Sequence, residues 1–225
     1  MTYFSRVTLN ASHSNTQQLA NDFCANNYQQ HQHLWQLFAK DPDAKRDFIF
    51  RNERGKCYYM VSQRKPQNNR GYWQVETKNY SPTIKTGQTL AFSLRVNPVV
   101  SRKNKNGKSC RHDVVMDEKQ QMNYQSMPIS ERPPLSAIVH KAGLQWLQTR
   151  AEKHGFNIDS NTVQVNGYES HTAYKKKNTN DIQYSTMDFN GLLTVVDAGQ
   201  FIEALLVGIG PAKAFGCGLM LVKRV

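Results

Sequence analysis

Residues 89–97 have the sequence TLAFSLRVN, in which apolar and polar residues alternate. Alternation with a period of two is typical of a β-strand with one buried face. A long amphipathic helix is predicted for residues 135–156, with a C-cap signal at Gly155. The strand patterns TVQVNGY and IQYSTMDFNGLLTVV follow, then a helix with Asp197 as its N-cap and a final strand, CGLMLVKRV. The predicted order is therefore β-α-β-β-α-β.

The first third of the chain has a similar order. YFSRVTL near the start predicts a strand, and a helix is predicted for residues 17–38. RDFIFRNE (46–53) and CYYMVSQ (57–63) predict two strands around a turn, and YWQVETK predicts another strand. The second helix is the weakest element, because residues 66–71 are polar and rich in turn formers. We predict an α+β protein of two tandem ferredoxin-like (RRM-like) domains, residues 1–86 and 87–225.

Many functions use this fold, so the fold alone does not identify an activity. It is also the fold of the RRM, which binds RNA through aromatic residues on its central strands. Phe48, Phe50 and either Tyr58 or Tyr59 are the candidates for such residues. The full RRM consensus is missing, however, and packing in the core is the favoured interpretation for these aromatics.

The composition favours a polyanionic partner. The chain has 29 Lys and Arg against 17 Asp and Glu, a net charge of +12. Such a balance suits nucleic acid or an acidic membrane surface. No run approaches the roughly 20 apolar residues of a membrane span. Nucleic acid is preferred because the basic residues also cluster. The four cysteines are scattered and the carboxylates lack ligand spacing, which predicts a reduced, cytoplasmic protein without metal or cofactor.

Positive charge is concentrated in two predicted loops. The first lies within residues 95–111, where there are six basic residues and no acidic one. The second lies between two predicted strands. Either could follow a phosphate backbone or be a solvated surface loop. The candidate RNA-binding residues in these loops are Arg95, Arg102, Lys103, Lys105, Lys108, Arg111, Lys175, Lys176 and Lys177.

The stretch GIGPAKAFGCGLM (208–220) is rich in glycine. It is not a P-loop, because Ala214 follows Lys213 and a strand rather than a helix comes next. Glycines here could let the backbone approach phosphate oxygens, with Lys213 adding charge. They could equally form a tight turn with positive φ. The candidate RNA-binding residues are Gly208, Gly210, Lys213, Gly216 and Gly218.

The predicted first helix contains Tyr28, His31 and His33. A histidine can act as a general base or acid near neutral pH, and a tyrosine can orient a hydroxyl group. Tyr28 and His31 are spaced i, i+3, so both can reach one phosphate, whereas His33 points to another side. A lone helical histidine is more often a surface or hydrogen-bonded residue. The residues alone do not choose between His31 and His33.

Several motifs together resemble one known family. GIGPAKAFGCGL (208–219) is similar to the C-terminal glycine-rich loop of repeat-associated RNA-binding proteins of CRISPR systems. The Tyr28/His31 pair followed by LWQLF, then DAKRDFIF (43–50) and FSLRVNP (92–98), occur in the order found in the CasE family of type I-E Cascade. The resemblance extends over both predicted domains and is weakest between residues 104 and 185.

The resemblance implies a metal-independent endoribonuclease that cuts CRISPR precursor RNA at the base of the stem-loop in each repeat. His31 and Tyr28 would be catalytic, and the 2′-OH would attack the phosphorus to give 5′-OH and 2′,3′-cyclic phosphate ends. The protein would then stay on the mature crRNA as a subunit of a Cascade-type effector complex. The alternative is a non-catalytic RNA-binding subunit of a CRISPR ribonucleoprotein.

Overall fold

The computed structural model describes residues 1–10, 27–38, 46–53, 57–68, 71–173 and 181–225. For Asn27 and Tyr28 it describes the backbone alone.

An antiparallel sheet of four strands forms the first unit. The strands are β1 (Tyr3–Leu9), β2 (Phe48–Glu53), β3 (Cys57–Ser62) and β4 (Trp73–Asn79). Their order across the sheet is β2-β3-β1-β4, so β1 and β3 are the central strands. This arrangement agrees with the predicted ferredoxin-like fold.

Helix α1 (Asn27–Trp35) is followed by a turn at residues 36–38, so the predicted helix end at Phe38 was wrong by three residues. The amide of Leu37 donates to the Leu34 carbonyl, which is the tighter i→i−3 pattern of a helix end. Residues 17–26 of the predicted helix lie outside the described residues. Between β3 and β4, residues 63–68 and 71–72 form no helix, so the weak second helix was not found there.

One face of the first sheet packs against α1. Val7, Leu34, Tyr58 and Met60 are each 0% exposed. Phe48 and Phe50 join the same cluster, which confirms that these two aromatics are core residues. Alternation along each strand directs one set of side chains to this core and the other set to the outer face.

The second unit contains the remaining elements. They are β5 (Thr89–Val96), β6 (Val99–Lys103), β7 (Ser109–Asp113), α2 (Val114–Gln121), α3 (Leu135–Lys153), β8 (Phe156–Ile158), β9 (Gln164–Ala173), β10 (Ile182–Val195), α4 (Ala198–Val207) and β11 (Met220–Arg224). The main sheet has the order β11-β5-β10-β8, and β9 pairs with the earlier part of β10. This is again the ferredoxin-like order, with the strand beside β10 divided into β8 and β9.

Several predictions for the second unit are confirmed. Gly155 has a φ of 72° after α3, and the Asp197 side chain accepts a hydrogen bond from the Gln200 amide at the start of α4. The prediction of a basic loop after β5 was wrong, because these residues form the antiparallel β6–β7 hairpin, which is followed by α2. Asp113 joins the two elements, since its side chain accepts from the amides of Val115 and Met116.

The outer face of the first sheet meets the second unit along a seam. Ile49 and Val61 of the first sheet and Leu219 of the second unit form a small buried cluster, at 5%, 2% and 1% exposure. Phe4 and Tyr59 lie partly buried at its rim. The seam brings the glycine-rich segment of the second unit against the first unit.

Candidate functional site

Helix α1 holds His31 against aromatic rings of the first core. The imidazole is stacked on Phe48, with ring centroids 5.7 Å apart, and is tilted against Trp35 at the same separation. Its Nε2 atom is buried and has no hydrogen-bond partner among the described residues. An unpaired basic nitrogen in a dry surrounding is uncommon, because buried polar atoms usually find a partner.

Two causes lower the pKa of His31 below its ordinary value. Burial disfavours the charged imidazolium, and the positive charge of Arg46 acts in the same direction. The imidazole is therefore neutral at neutral pH, which is the form that can accept a proton.

Arg46 brings positive charge to this histidine, and Lys213 lies close to Arg46. Arg46 lies two residues before β2, and Lys213 begins a 3-10 turn, Lys213–Phe215, that packs against α1 and β2. Burial, followed by the charge of Arg46, lowers the pKa of Lys213. The charge of Arg46 thus acts on both His31 and Lys213, which come from different units of the protein.

The glycines around Lys213 have a structural explanation. Gly208 and Gly218 have φ values of 83° and 94°, and a Cβ atom at Gly218 would lie 2.8 Å from the Ile209 carbonyl oxygen. Their amides donate to the carbonyls of Ala204 and Arg95, so these two amides are occupied within the protein. Gly210 and Gly216 also have positive φ. The tight-turn interpretation accounts for these conformations, and the turn presents Lys213 to α1.

The exposed cations of the β6–β7 hairpin form a second group. Asn104 Oδ1 accepts from the amides of Asn106 and Lys108, at 3.0 and 2.9 Å, and orders the hairpin turn. Arg102 is engaged within the protein, because its Nη2 lies 2.6 Å from Asp117 Oδ2. The exposed cations without a described ion pair are Lys103, Lys105, Lys108 and Arg111.

Other predicted site residues lie elsewhere. Arg95 forms a bidentate ion pair with Asp188, at 2.8 and 2.7 Å, on the second sheet, so its charge is largely offset. The Tyr28 side chain and residues 175–177, which include the three predicted lysines, lie outside what the structure describes. No distance between Tyr28 and His31 follows from it.

Sequence reasoning missed Arg46 and the end of α3. Arg46 stands in the DAKRDFIF motif, which was used only as a family marker. Burial, followed by the charges of Lys153, Arg150 and Lys213, lowers the pKa of His154 just after α3, while Glu203 raises it. The concentration of basic residues at a helix C-terminus was the available signal.

The described residues contain neither a cluster of metal-binding side chains nor a membrane-spanning helix. No group of three or more His, Cys, Asp and Glu side chains there could hold a metal ion. Within the same residues, no helix is long and apolar enough to cross a membrane.

These observations define the class of protein. It is a tandem ferredoxin-like protein that has a half-buried histidine and a basic surface. A family model described as CRISPR associated protein matches residues 2–224, and the chain belongs to this family. It is 29% identical over 198 residues to the CRISPR system Cascade subunit CasE of Escherichia coli. The aligned residues make up 86% of this chain and 89% of that protein. The resemblance to the CasE family predicted from the motifs is confirmed.

Two further comparisons agree. CRISPR-associated endoribonuclease Cse3 of Thermus thermophilus is 29% identical over 161 residues, which are 68% of this chain and 64% of that protein. This chain is also similar to a solved structure of the endoribonuclease Cse3 bound to a 19 nt RNA, with a TM-score of 0.69 at 24% identity. The alignment covers 100% of both chains. This likeness supports the tandem ferredoxin-like fold.

Proposed function

We propose that the protein is an endoribonuclease that cleaves CRISPR precursor RNA within each repeat, at the base of the stem-loop. The observation that carries this proposal is His31, a histidine with an unpaired buried Nε2 and a lowered pKa beside Arg46 and Lys213. A similar protein from Thermus thermophilus is described as a CRISPR-associated endoribonuclease, which supports the same activity here.

In the proposed reaction, neutral His31 removes the proton from a ribose 2′-OH. The oxygen forms a bond to the adjacent phosphorus, and the bond between phosphorus and the 5′ oxygen breaks. The leaving 5′ oxygen takes up a proton, so the products carry 2′,3′-cyclic phosphate and 5′-OH ends. RNA supplies the nucleophile and His31 supplies the base, so this step needs no metal ion.

Arg46 and Lys213 are proposed to stabilise the negative charge that grows on the phosphorane. Fixed cations in a partly dry site act more strongly on such charge than cations in water. Tyr28 is proposed to orient the 2′-OH or a phosphate oxygen, because a helix places residues i and i+3 on neighbouring positions.

RNA affinity is assigned to the basic surface. Lys103, Lys105, Lys108 and Arg111 of the hairpin, and Lys175, Lys176 and Lys177, would contact phosphates of the repeat stem. The protein would then stay bound to mature crRNA as a subunit of a Cascade-type complex. The similar Escherichia coli protein is described as a Cascade subunit, which supports this assembly.

The test is cleavage of a repeat RNA in EDTA by the full-length protein. We expect cutting by the native protein, and loss of cutting by His31→Ala or when the substrate carries a 2′-deoxyribose at the cut site. His33→Ala is the matched control, because it removes the neighbouring histidine from the same helix, and we expect it to remain active.

Two results would contradict the mechanism. Cutting that stops in EDTA and returns with added divalent metal would require a metal-dependent reaction. Tight binding of the repeat without cutting would instead favour the non-catalytic RNA-binding subunit. The division into residues 1–86 and 87–225 and the cytoplasmic location stay predictions.

A further inference from the structure

The outer face of the first sheet carries two rows of side chains across its four strands. Backbone pairing places Arg51, Tyr59, Arg6 and Glu76 in one row. The neighbouring row, in the same strand order, contains Ile49, Val61, Phe4 and Lys78. This face lies opposite the core face on which α1 and His31 pack.

The seam with the second unit covers only one side of this face. Ile49 and Val61 are buried there, and Arg51 is 7% exposed with its Nε 2.6 Å from Glu53 Oε1. The five other residues of the two rows are Phe4 and Arg6 on β1, Tyr59 on β3, and Glu76 and Lys78 on β4. We call Phe4, Arg6, Tyr59 and Lys78 the outer platform. Its rings are partly exposed, and its two cations are exposed.

The geometry of the outer platform suits a base and a phosphate. The Phe4 and Tyr59 rings lie 5.7 Å apart at an angle of 31°, and Lys78 Nζ lies 5.7 Å from the Phe4 centroid. Lys78 is a long exposed side chain, so a base can take its place over the ring while the ammonium group moves to a phosphate. The carboxylate in this part of the face is Glu76, which lies 3.7 Å from Arg6 Nη1.

The positions of the rings match a general mode of RNA binding. An RRM stacks unpaired bases on aromatic residues of its central strands, and β1 and β3 are the central strands here. The aromatics first considered from the sequence, Phe48 and Phe50, point into the core and cannot serve. Phe4 and Tyr59, in contrast, occupy the outer face.

We propose that the outer platform binds one or two unpaired nucleotides of RNA by stacking on Phe4 and Tyr59, with Lys78 and Arg6 contacting phosphates. This binding is separate from cleavage, because the platform and His31 lie on opposite faces of the first sheet. A protein of net charge +12 provides a favourable field for such a strand. The simpler alternative is that the two rings only seal the rim of the seam.

The test uses the full-length protein and a short fluorescein-labelled RNA that has no secondary structure, followed by fluorescence anisotropy. An abasic RNA of the same length is the first comparison, because it keeps every phosphate and removes every base. We expect the abasic RNA to bind about tenfold more weakly, as stacking on an aromatic residue is sequence-tolerant and strong.

Single-residue variants show whether the outer platform causes the difference in affinity between the two RNAs. Tyr59→Leu keeps apolar bulk at the seam but removes the ring, and we expect about tenfold weaker binding of the RNA and little change for the abasic RNA. Lys78→Gln changes an exposed residue, so it leaves the fold intact, and it should weaken binding of both RNAs.

Tyr124→Leu is the matched control. Tyr124 also lies between cations, with Lys119 Nζ and Arg132 Cζ each 5.3 Å from its ring, but it stands outside the sheets. We expect its loss to leave affinity unchanged. Equal affinity for the two RNAs, native affinity in Tyr59→Leu, or an equal loss in Tyr124→Leu would overturn the proposal and leave the rings as seals of the seam.

Discussion

His31 on α1 and the cations of the β6–β7 hairpin differ most in how much water surrounds them. His31 lies among aromatic rings, and its pKa is lowered by burial and by Arg46. Lys103, Lys105, Lys108 and Arg111 are exposed on a hairpin with neither face buried in a core. A dry site can tune proton transfer, whereas exposed charge mainly adds attraction that salt screens. The comparison therefore separates residues that set a rate from residues that set an affinity.

The largest expected effect comes from the cations beside His31. Lys213→Met or Arg46→Gln should slow cleavage about 100-fold at saturating protein, because a fixed charge at the phosphorane is removed. Single-turnover kinetics on repeat RNA measure this rate. Lys85→Gln, which removes an exposed charge from the segment between the sheets, should leave it unchanged. Equal slowing by Lys85→Gln would show that overall charge, and not position, controls the rate.

A smaller and different effect is expected at the hairpin. Replacing Lys103, Lys105 and Lys108 together by Gln should weaken repeat binding and leave the saturating cleavage rate near that of the native protein. The slope of log affinity against log salt should fall by about 0.7 to 0.9 for each phosphate that the variant no longer neutralises. Binding titrations at several salt concentrations measure the slope. A fall in the saturating rate would break the distinction between the two regions.

The pH dependence of cleavage tests the tuning of His31. Its folded-state pKa lies below the ordinary 6.5, so the basic form should persist at lower pH, and the rate should fall only below that value. Arg46→Gln removes one cause of the lowering, so the acid limb should move upward, toward 6.5. Rate profiles at limiting protein measure the shift. A downward shift, or none, would contradict the assigned role of Arg46.

The smallest effect distinguishes two arginines of the hairpin. Arg102 is paired with Asp117, at 2.6 Å, and Arg111 is exposed without a described ion pair. Arg111→Gln should therefore weaken repeat binding several-fold, and Arg102→Gln should weaken it less, because Asp117 already offsets its charge. Binding assays on the two variants, carried out side by side, rank them. The reverse order would mean that Arg102 leaves Asp117 when RNA binds.

Much of the fold could be predicted because its strands have one buried face. The alternation at β5 follows directly from packing on a core, and Gly155 and Asp197 act locally. The β6–β7 hairpin has no such face, so it carries no alternating pattern. Helix α2 has few apolar residues, and the signal for its start was the capping side chain of Asp113.

The site was less accessible from the sequence. The Tyr28/His31 pair was singled out by spacing and by resemblance, and the role of Tyr28 stays a prediction. Arg46 comes near His31 because β2 and the first helix share one core, and the turn that starts at Lys213 reaches that helix only because the two units meet. The Arg95–Asp188 pair likewise depends on the register of β5 and β10, which composition does not reveal.

The glycine-rich segment has a consequence for the order of events during synthesis. Lys213 follows His31 by about 180 residues, and its turn is held through the bond from the Gly218 amide to the Arg95 carbonyl. A nascent chain forms its N-terminal unit first. His31 and Arg46 would then be folded before the ribosome has made Lys213. The emerging protein would cleave nearby RNA only slowly until its final strand joins the second sheet.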